Sequence, residues 1–107
     1  MFVKVYQYYI QKEKEEEHLS IQEKAGKIYQ EFLDFHTIYL KSKDSDTKWL
    51  EITFFKDEDD YKKSIEIINK QLEIQELFQS FQGVLVSEKN EITEEDFLKI
   101  KEKCTIK

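Results

Sequence analysis

The order of strand-like and helix-like segments predicts an α+β domain with a four-stranded antiparallel sheet and helices on one face. Two runs of strand-forming residues, Phe35 to Lys41 and Lys48 to Phe55, flank the polar turn Lys43-Asp44-Ser45-Asp46-Thr47. On each side of that hairpin lies a long segment whose apolar residues recur at the spacing of a helix face. With a strand at the N-terminus and Val84-Leu85-Val86 as a fourth, the chain reads β-α-β-β-α-β, followed by a short C-terminal helix. Such a sheet leaves one face without helices, and that face invites a second copy of the chain.

Each element has its own justification. Phe2 to Gln11 is rich in Val, Tyr and Ile, which suit a pleated surface. Both of its faces carry apolar residues, so both should be covered. From Lys14 the period changes, and His18, Ile21, Ala25, Ile28, Tyr29 and Phe32 mark one helical stripe. The acids Glu13, Glu15, Glu16 and Glu17 sit in its first turns, where they complement the helix dipole. In the hairpin, Asp44, Ser45 and Asp46 are turn formers that bond nearby backbone. Leu50, Ile52 and Phe54 form an apolar face expected under the helices. Trp49, Glu51, Thr53 and Phe55 form a mixed face expected to meet a partner or a cavity.

Asp57 can cap the second helix. Tyr61, Ile65, Ile68 and Leu72 keep one helical phase, whereas Ile74, Leu77, Phe78 and Phe81 keep another, which predicts a break around residues 70 to 73. Gly83 is expected to end this helix as a C-terminal cap. Thr93 with Asp96 has the pattern of a capping box and predicts a last helix, 93–104, carrying Phe97, Ile100 and Cys104. The whole of 1–107 reads as one domain, without linker or repeat.

Composition narrows the function. Charged residues make up 37% of the chain and mean hydropathy is −0.71, but eight Phe, six Tyr and one Trp exclude a disordered chain. At 107 residues roughly two-thirds of the surface can be buried. All 17 basic residues are lysine, net charge is −6 and the pI is about 5.0. Arginine's bidentate fork is therefore absent, and nucleic acid is not an expected partner. Two glycines and no proline leave no phosphate-cradling loop. Cys104 alone cannot form an internal disulfide or a cysteine metal cluster, which suits a reducing cytoplasm. No apolar run approaches the ~20 residues that span a bilayer, and the N-terminus does not read as a leader. Cytoplasmic location, no membrane and no cofactor or metal are the resulting expectations.

Three groups of side chains are candidates for chemistry. His18 and His36 are too far apart to be a helical metal pair, but His36, at a strand start, could titrate near neutrality. Glu51 interrupts an apolar and aromatic strand; burial would make it a general base, and pairing with Lys4 or Lys48 or pointing to solvent is the alternative. The aromatics Tyr6, Tyr8, Tyr9, Tyr39, Trp49, Phe54, Phe55 and Tyr61 either line a pocket for a flat apolar ligand or fill a core and dimer interface.

Phe2-Val-Lys-Val-Tyr, the helix to Phe32, the hairpin and Trp49-Leu-Glu-Ile-Thr-Phe-Phe-Lys-Asp-Glu-Asp-Asp-Tyr together resemble the dimeric α+β barrel proteins, whose protomers are ferredoxin-like. The antibiotic-biosynthesis-monooxygenase branch is the most similar, over about residues 1 to 90. The resemblance implies a homodimer packed sheet to sheet and a pocket between each sheet and its own helices. It implies cofactor-independent oxygenation, haem degradation or no catalysis at all. Lys62, Lys63 and Ser64 stand where a histidine often follows the strand-to-helix corner, and the first strand has no asparagine, which argues against haem. Two classes therefore stay open: a small-molecule binder or cofactor-independent monooxygenase, and a non-enzymatic homodimeric interaction module. For the first, His36, Tyr61 and Glu51 are the acid–base candidates and Tyr6, Tyr8, Tyr39 and Trp49 the pocket. The dimer interface is expected to use Trp49, Phe55 and Tyr9 or their strand neighbours.

Overall fold

The computed structural model of the chain describes residues 1–106. Its four strands, β1 (Phe2–Tyr9), β2 (Phe35–Lys41), β3 (Lys48–Phe55) and β4 (Thr93–Leu98), pair antiparallel in the order β2-β3-β1-β4. Helices α1 (Glu15–Tyr29), α2 (Glu58–Asn69) and α3 (Leu72–Val84) cover one face of this sheet. The result is the ferredoxin-like arrangement, with β1 and β3 at the centre and β2 and β4 at the edges.

Local chemistry accounts for the boundaries. Asp57 is extended, and its carboxylate accepts the Asp60 N–H at 2.7 Å, which starts α2 with three acids in its first turn. The expected break in the helical phase is real: α2 ends at Asn69 and Gln71 is extended again before α3 begins. The two pieces serve two separate cores. Ile68 of α2 is buried with Phe2, Leu33 and Phe55 at one end of β1. Phe81 and Val84 of α3 are buried with Tyr8, Ile10, Ile21 and Trp49 at the other.

The sheet is turned over relative to the expectation. In the register Phe2↔Phe55, Tyr6↔Glu51 and Tyr8↔Trp49, the mixed face of β3 lies under the helices, with Trp49 and Phe55 only 5% and 4% exposed. Leu50, Ile52 and Phe54 lie on the open face beside Val3 and Val5. Alternation along a strand separates its two faces but does not label them. The polar members of the covered face are accommodated in pairs; the Thr53 and Thr37 hydroxyls, for instance, are 2.9 Å apart.

The fourth strand is also elsewhere. Val84 closes α3, and Leu85 makes only an isolated bridge to Ile10, although both are buried in the core. A short apolar run of this kind does not tell a strand from the end of a helix. Gly83 lies inside the last turn of α3, and among the described residues no glycine has a positive φ, so it is not a left-handed cap. The expected helix over 93–104 is absent, and Cys104 is exposed beyond β4. Thr93–Leu98 is instead the edge strand, because buried Lys4 on β1 requires acids opposite it. Asp96 Oδ1 accepts from the Lys4 ammonium at 2.7 Å, and Glu94 Oε2 is 3.5 Å from it. Burial disfavours the Lys4 charge, but these carboxylates outweigh it and hold its pKa above the ordinary lysine value.

The two faces of α2 give a direct stability test. Ile68 is 0% exposed and Ile67 49% exposed. In urea denaturation, Ile68→Ala is expected to lose about 2–5 kcal/mol. Ile67→Ala should stay within about 0.5 kcal/mol of the parent. Equal losses would contradict this placement of α2.

Candidate functional site

Between the two cores, the middle of the covered face is polar and the helices stand away from it. The space is a cavity of about 370 Å³. The sheet contributes Tyr6 and Tyr8 from β1, Thr37 and Tyr39 from β2, and Glu51 and Thr53 from β3. Tyr29 of α1 and Tyr61 of α2 add two more phenols, and Leu77 and Phe78 of α3 add an apolar wall. Glu94 of β4 lies at the edge. Among the described residues no lysine or histidine lines the cavity.

Glu51 is the centre of its electrostatics. Burial raises the pKa of its carboxyl group above the usual carboxylate value, and the Tyr8 hydroxyl, donating to Oε1 at 2.8 Å, opposes the shift. Among the described residues no ion pair reaches it. Burial likewise holds the phenols of Tyr6, Tyr8 and Tyr39 well above their ordinary range, and pushes Tyr29 up to about 12. Tyr61 is raised by burial against the pull of the Lys4 ammonium. At neutral pH these five phenols are therefore proton donors to hydrogen bonds.

Behind Tyr8 lies His18. Its ring is 0% exposed and caged by the rings of Tyr8, Trp49, Phe81 and Tyr39, at centroid distances of 5.3, 5.0, 5.7 and 6.2 Å. Nε2 lies 3.2 Å from the Tyr8 hydroxyl, and Nδ1 is buried with no partner. Burial lowers its pKa to about 4, only partly offset by Glu15, so the imidazole is neutral at physiological pH.

The expected site residues divide accordingly. Tyr6, Tyr8, Tyr39, Tyr61 and Glu51 converge on the cavity. Trp49 does not; it packs in the neighbouring core against His18. His36 is exposed on the opposite face of the sheet, its ring 5.9 Å from Phe54. Its neighbours Phe35 and Thr37 line the cavity, so strand alternation turns His36 outward and removes the shared site with Tyr61. Lys4 and Lys48 do not pair with Glu51. His18 was legible only as part of a helical stripe; a polar ring on an apolar stripe was the one signal that it required a buried partner.

Among the described residues no group of three His, Cys, Asp or Glu side chains is placed to hold a metal ion. No protein-family model matches the chain, and no curated protein does either. Solved structures do match. SnoaB, a cofactor-independent oxygenase from Streptomyces nogalater, superposes with a TM-score of 0.70 at 12% identity, over 94% of each chain. An antibiotic biosynthesis monooxygenase matches with a TM-score of 0.69 at 14% identity, over 94% of this chain and 100% of the other. An uncharacterised NIPSNAP domain protein from Burkholderia xenovorans matches with a TM-score of 0.69 at 15% identity, over 94% and 95%. At such identities what is shared is the fold. The chain has the ferredoxin-like α+β fold of the antibiotic-biosynthesis-monooxygenase and NIPSNAP structures, as its resemblance implied.

His18 makes a pH prediction with a definite sign. Its pKa falls from 6.5 in the unfolded chain to about 4 on folding. As pH drops through that window the unfolded chain takes up a proton that the folded one refuses, so stability falls by about 3 kcal/mol and levels off below it. Urea titrations at stepped pH should show this slope in the parent, and a flatter one in His18→Phe. Identical slopes would contradict a buried neutral imidazole.

Proposed function

We propose that the cavity binds a small, neutral, planar aromatic molecule and that Glu51 is the general base acting on it. The observation that carries this is a buried carboxylate without a counter-cation, facing a space ringed by phenols. Among the described residues two acids and no basic side chain line the cavity, which disfavours anionic ligands, while aromatic walls with convergent hydroxyls suit a flat ligand bearing carbonyl or phenolic oxygens. A carboxylate whose pKa is raised towards neutrality is a stronger base than an exposed one.

The reaction this favours is cofactor-independent monooxygenation. Glu51 removes a proton from an activated CH₂ group of the substrate, the resulting carbanion reduces O₂, and the products are a carbonyl and water. The substrate supplies the electrons, and the neutral phenols donate hydrogen bonds to its developing oxyanion. The description of SnoaB as a cofactor-independent oxygenase supports the choice. The other class, a binding module without turnover, shares the cavity but not a role for Glu51 in chemistry.

Thermal-shift titration with planar hydroquinones and anthrone-like ketones is the first test; a ligand at 100 times its Kd stabilises by about 2.7 kcal/mol. With a binding ligand in hand, Glu51→Gln should keep the thermal shift and lose oxygen uptake by about 100-fold or more. Binding without oxygen uptake in the parent would leave only the binding module.

The open face supports a homodimer. Val3, Val5, Leu50, Ile52 and Phe54 share it, and Ile38, Leu40 and Phe97 on the edge strands are 37%, 46% and 45% exposed. Trp49 and Phe55 face the helices, so of the expected residues their strand neighbours Leu50 and Phe54, with Tyr9, are the ones on this side. A second copy placed here would bury over ~1,000 Å². No described helix is long and apolar enough to cross a membrane, and a lone thiol suits work in the cytoplasm. Sedimentation should give a dimer for the parent and a monomer for Leu40→Asp; a monomeric parent at micromolar concentration would rule the dimer out.

A further inference from the structure

We propose that His18 is the positioning residue for Glu51: acting through Tyr8, it fixes the direction of the hydrogen bonds that reach the carboxylate and so holds Glu51 in its base form. The proposal rests on the reading of Glu51 as the base, but it concerns a residue outside the cavity. His18 touches no ligand; Tyr8 stands between.

The Tyr8 hydroxyl has one proton and two partners, Glu51 Oε1 at 2.8 Å and His18 Nε2 at 3.2 Å. Two polarities are open to this chain. In the first, Tyr8 donates to an ionised Glu51, and His18 carries its proton on Nε2 and donates to the Tyr8 oxygen. Nδ1 is then a bare lone pair. In the second, a protonated Glu51 donates to Tyr8, Tyr8 donates to Nε2, and the imidazole proton sits on Nδ1. Each form has its protons accounted for, and the second holds one more, on Glu51.

What separates them is the surroundings of Nδ1. That atom is buried without a partner, inside a cage of aromatic rings. A buried N–H with no acceptor is the rarer and costlier orphan; a bare acceptor is better tolerated. The cage therefore selects the Nε2–H tautomer, and with it the polarity in which both hydrogens point towards Glu51. Protonating Oε1 requires either losing the Tyr8 hydrogen bond as it stands or moving the imidazole proton onto an orphaned nitrogen, and protonating Oε2 turns Oε1 into a neutral carbonyl, a weaker acceptor for Tyr8 than the carboxylate.

Other groups facing Glu51 do not supply the same bias. Tyr6 on β1, Tyr39 on β2 and Tyr29 on α1 are neutral phenols near it, as is Tyr61 on α2. Glu94 on β4 is the other carboxylate of the cavity, and α3 presents only apolar side chains. Around His18, Glu15 on the same helix is the one charged group felt, and it favours protonation of the ring rather than its neutral form.

The test reads Glu51 directly in the full chain, without substrate, by ¹³C-glutamate NMR across pH. In His18→Phe, which keeps a ring in the cage but removes the donor, the proton affinity of Glu51 is expected to rise about tenfold. His18→Gln, whose amide can donate to Tyr8, should restore most of the parent value. An unchanged titration in His18→Phe overturns the proposal, and so does an equal rise in both variants, which would report lost packing. If His18→Phe does not fold, ¹⁵N spectra of the parent decide: the Nε2–H tautomer supports the proposal and Nδ1–H overturns it. Loss of oxygen uptake is not used here, so failure of the Glu51 base assignment and failure of the His18 coupling remain distinguishable.

Discussion

A carboxylate at the centre of a covered sheet, with no cation beside it, is the constraint around which this protein is arranged. Burying Glu51 in an apolar core would be prohibitive. The chain avoids that by not packing a core over it. The helical layer breaks at Lys70–Gln71, so α2 closes one apolar cluster and α3 the other, and the stretch of sheet carrying Tyr6, Tyr39, Glu51 and Thr53 faces a cavity between them. The hydrogen bond from Tyr8 reduces the remaining cost, and the caged imidazole of His18 backs Tyr8. The groups that make the fold tolerable at this point are also the ones that would do chemistry.

Two buried polar centres sit on the central strands, Lys4 on β1 and Glu51 on β3, and the sheet treats them differently. Lys4 is answered by Asp96 and Glu94 on the neighbouring strand, so its charge is neutralised within the protein. Among the described residues Glu51 is answered only by a neutral hydroxyl, so no cation neutralises it. A paired ion is structural; an unpaired, partly desolvated one is poised to take a proton. This contrast, rather than any sequence motif, marks the candidate site. It is also why the lysine-only, acidic composition is compatible with a pocket for neutral ligands.

The sequence was most legible where structure is local. The hairpin boundaries, the Asp57 cap and the break between α2 and α3 follow from turn chemistry, capping and helical phase, each decided within a few residues. It was least legible where a distant partner decides. Thr93 and Asp96 form a plausible local cap, yet Asp96 belongs to a strand because Lys4, 92 residues away, needs it. The run at Val84 and Leu85 is as buried as a strand would be while serving as a helix end. For the site, Glu51, Tyr6, Tyr8 and Tyr39 were readable on the strands, and Tyr61 at the start of the second helix, as polar groups in an aromatic setting. His36 and Trp49 were misassigned because alternation gives two faces without saying which one the helices cover. His18 was hidden, since nothing local pairs a helix histidine with a tyrosine on another element.

Whether the space between the two cores receives a ligand against Glu51 decides the role of that carboxylate. The most direct measurement is a crystal structure of the protein grown with a planar hydroquinone at saturating concentration. The expected result is ligand density between the sheet and the three helices, with a ligand oxygen within hydrogen-bond distance of the Glu51 carboxylate. A structure in which Tyr61 and Phe78 close over Glu51 and leave no room for the ligand would contradict it.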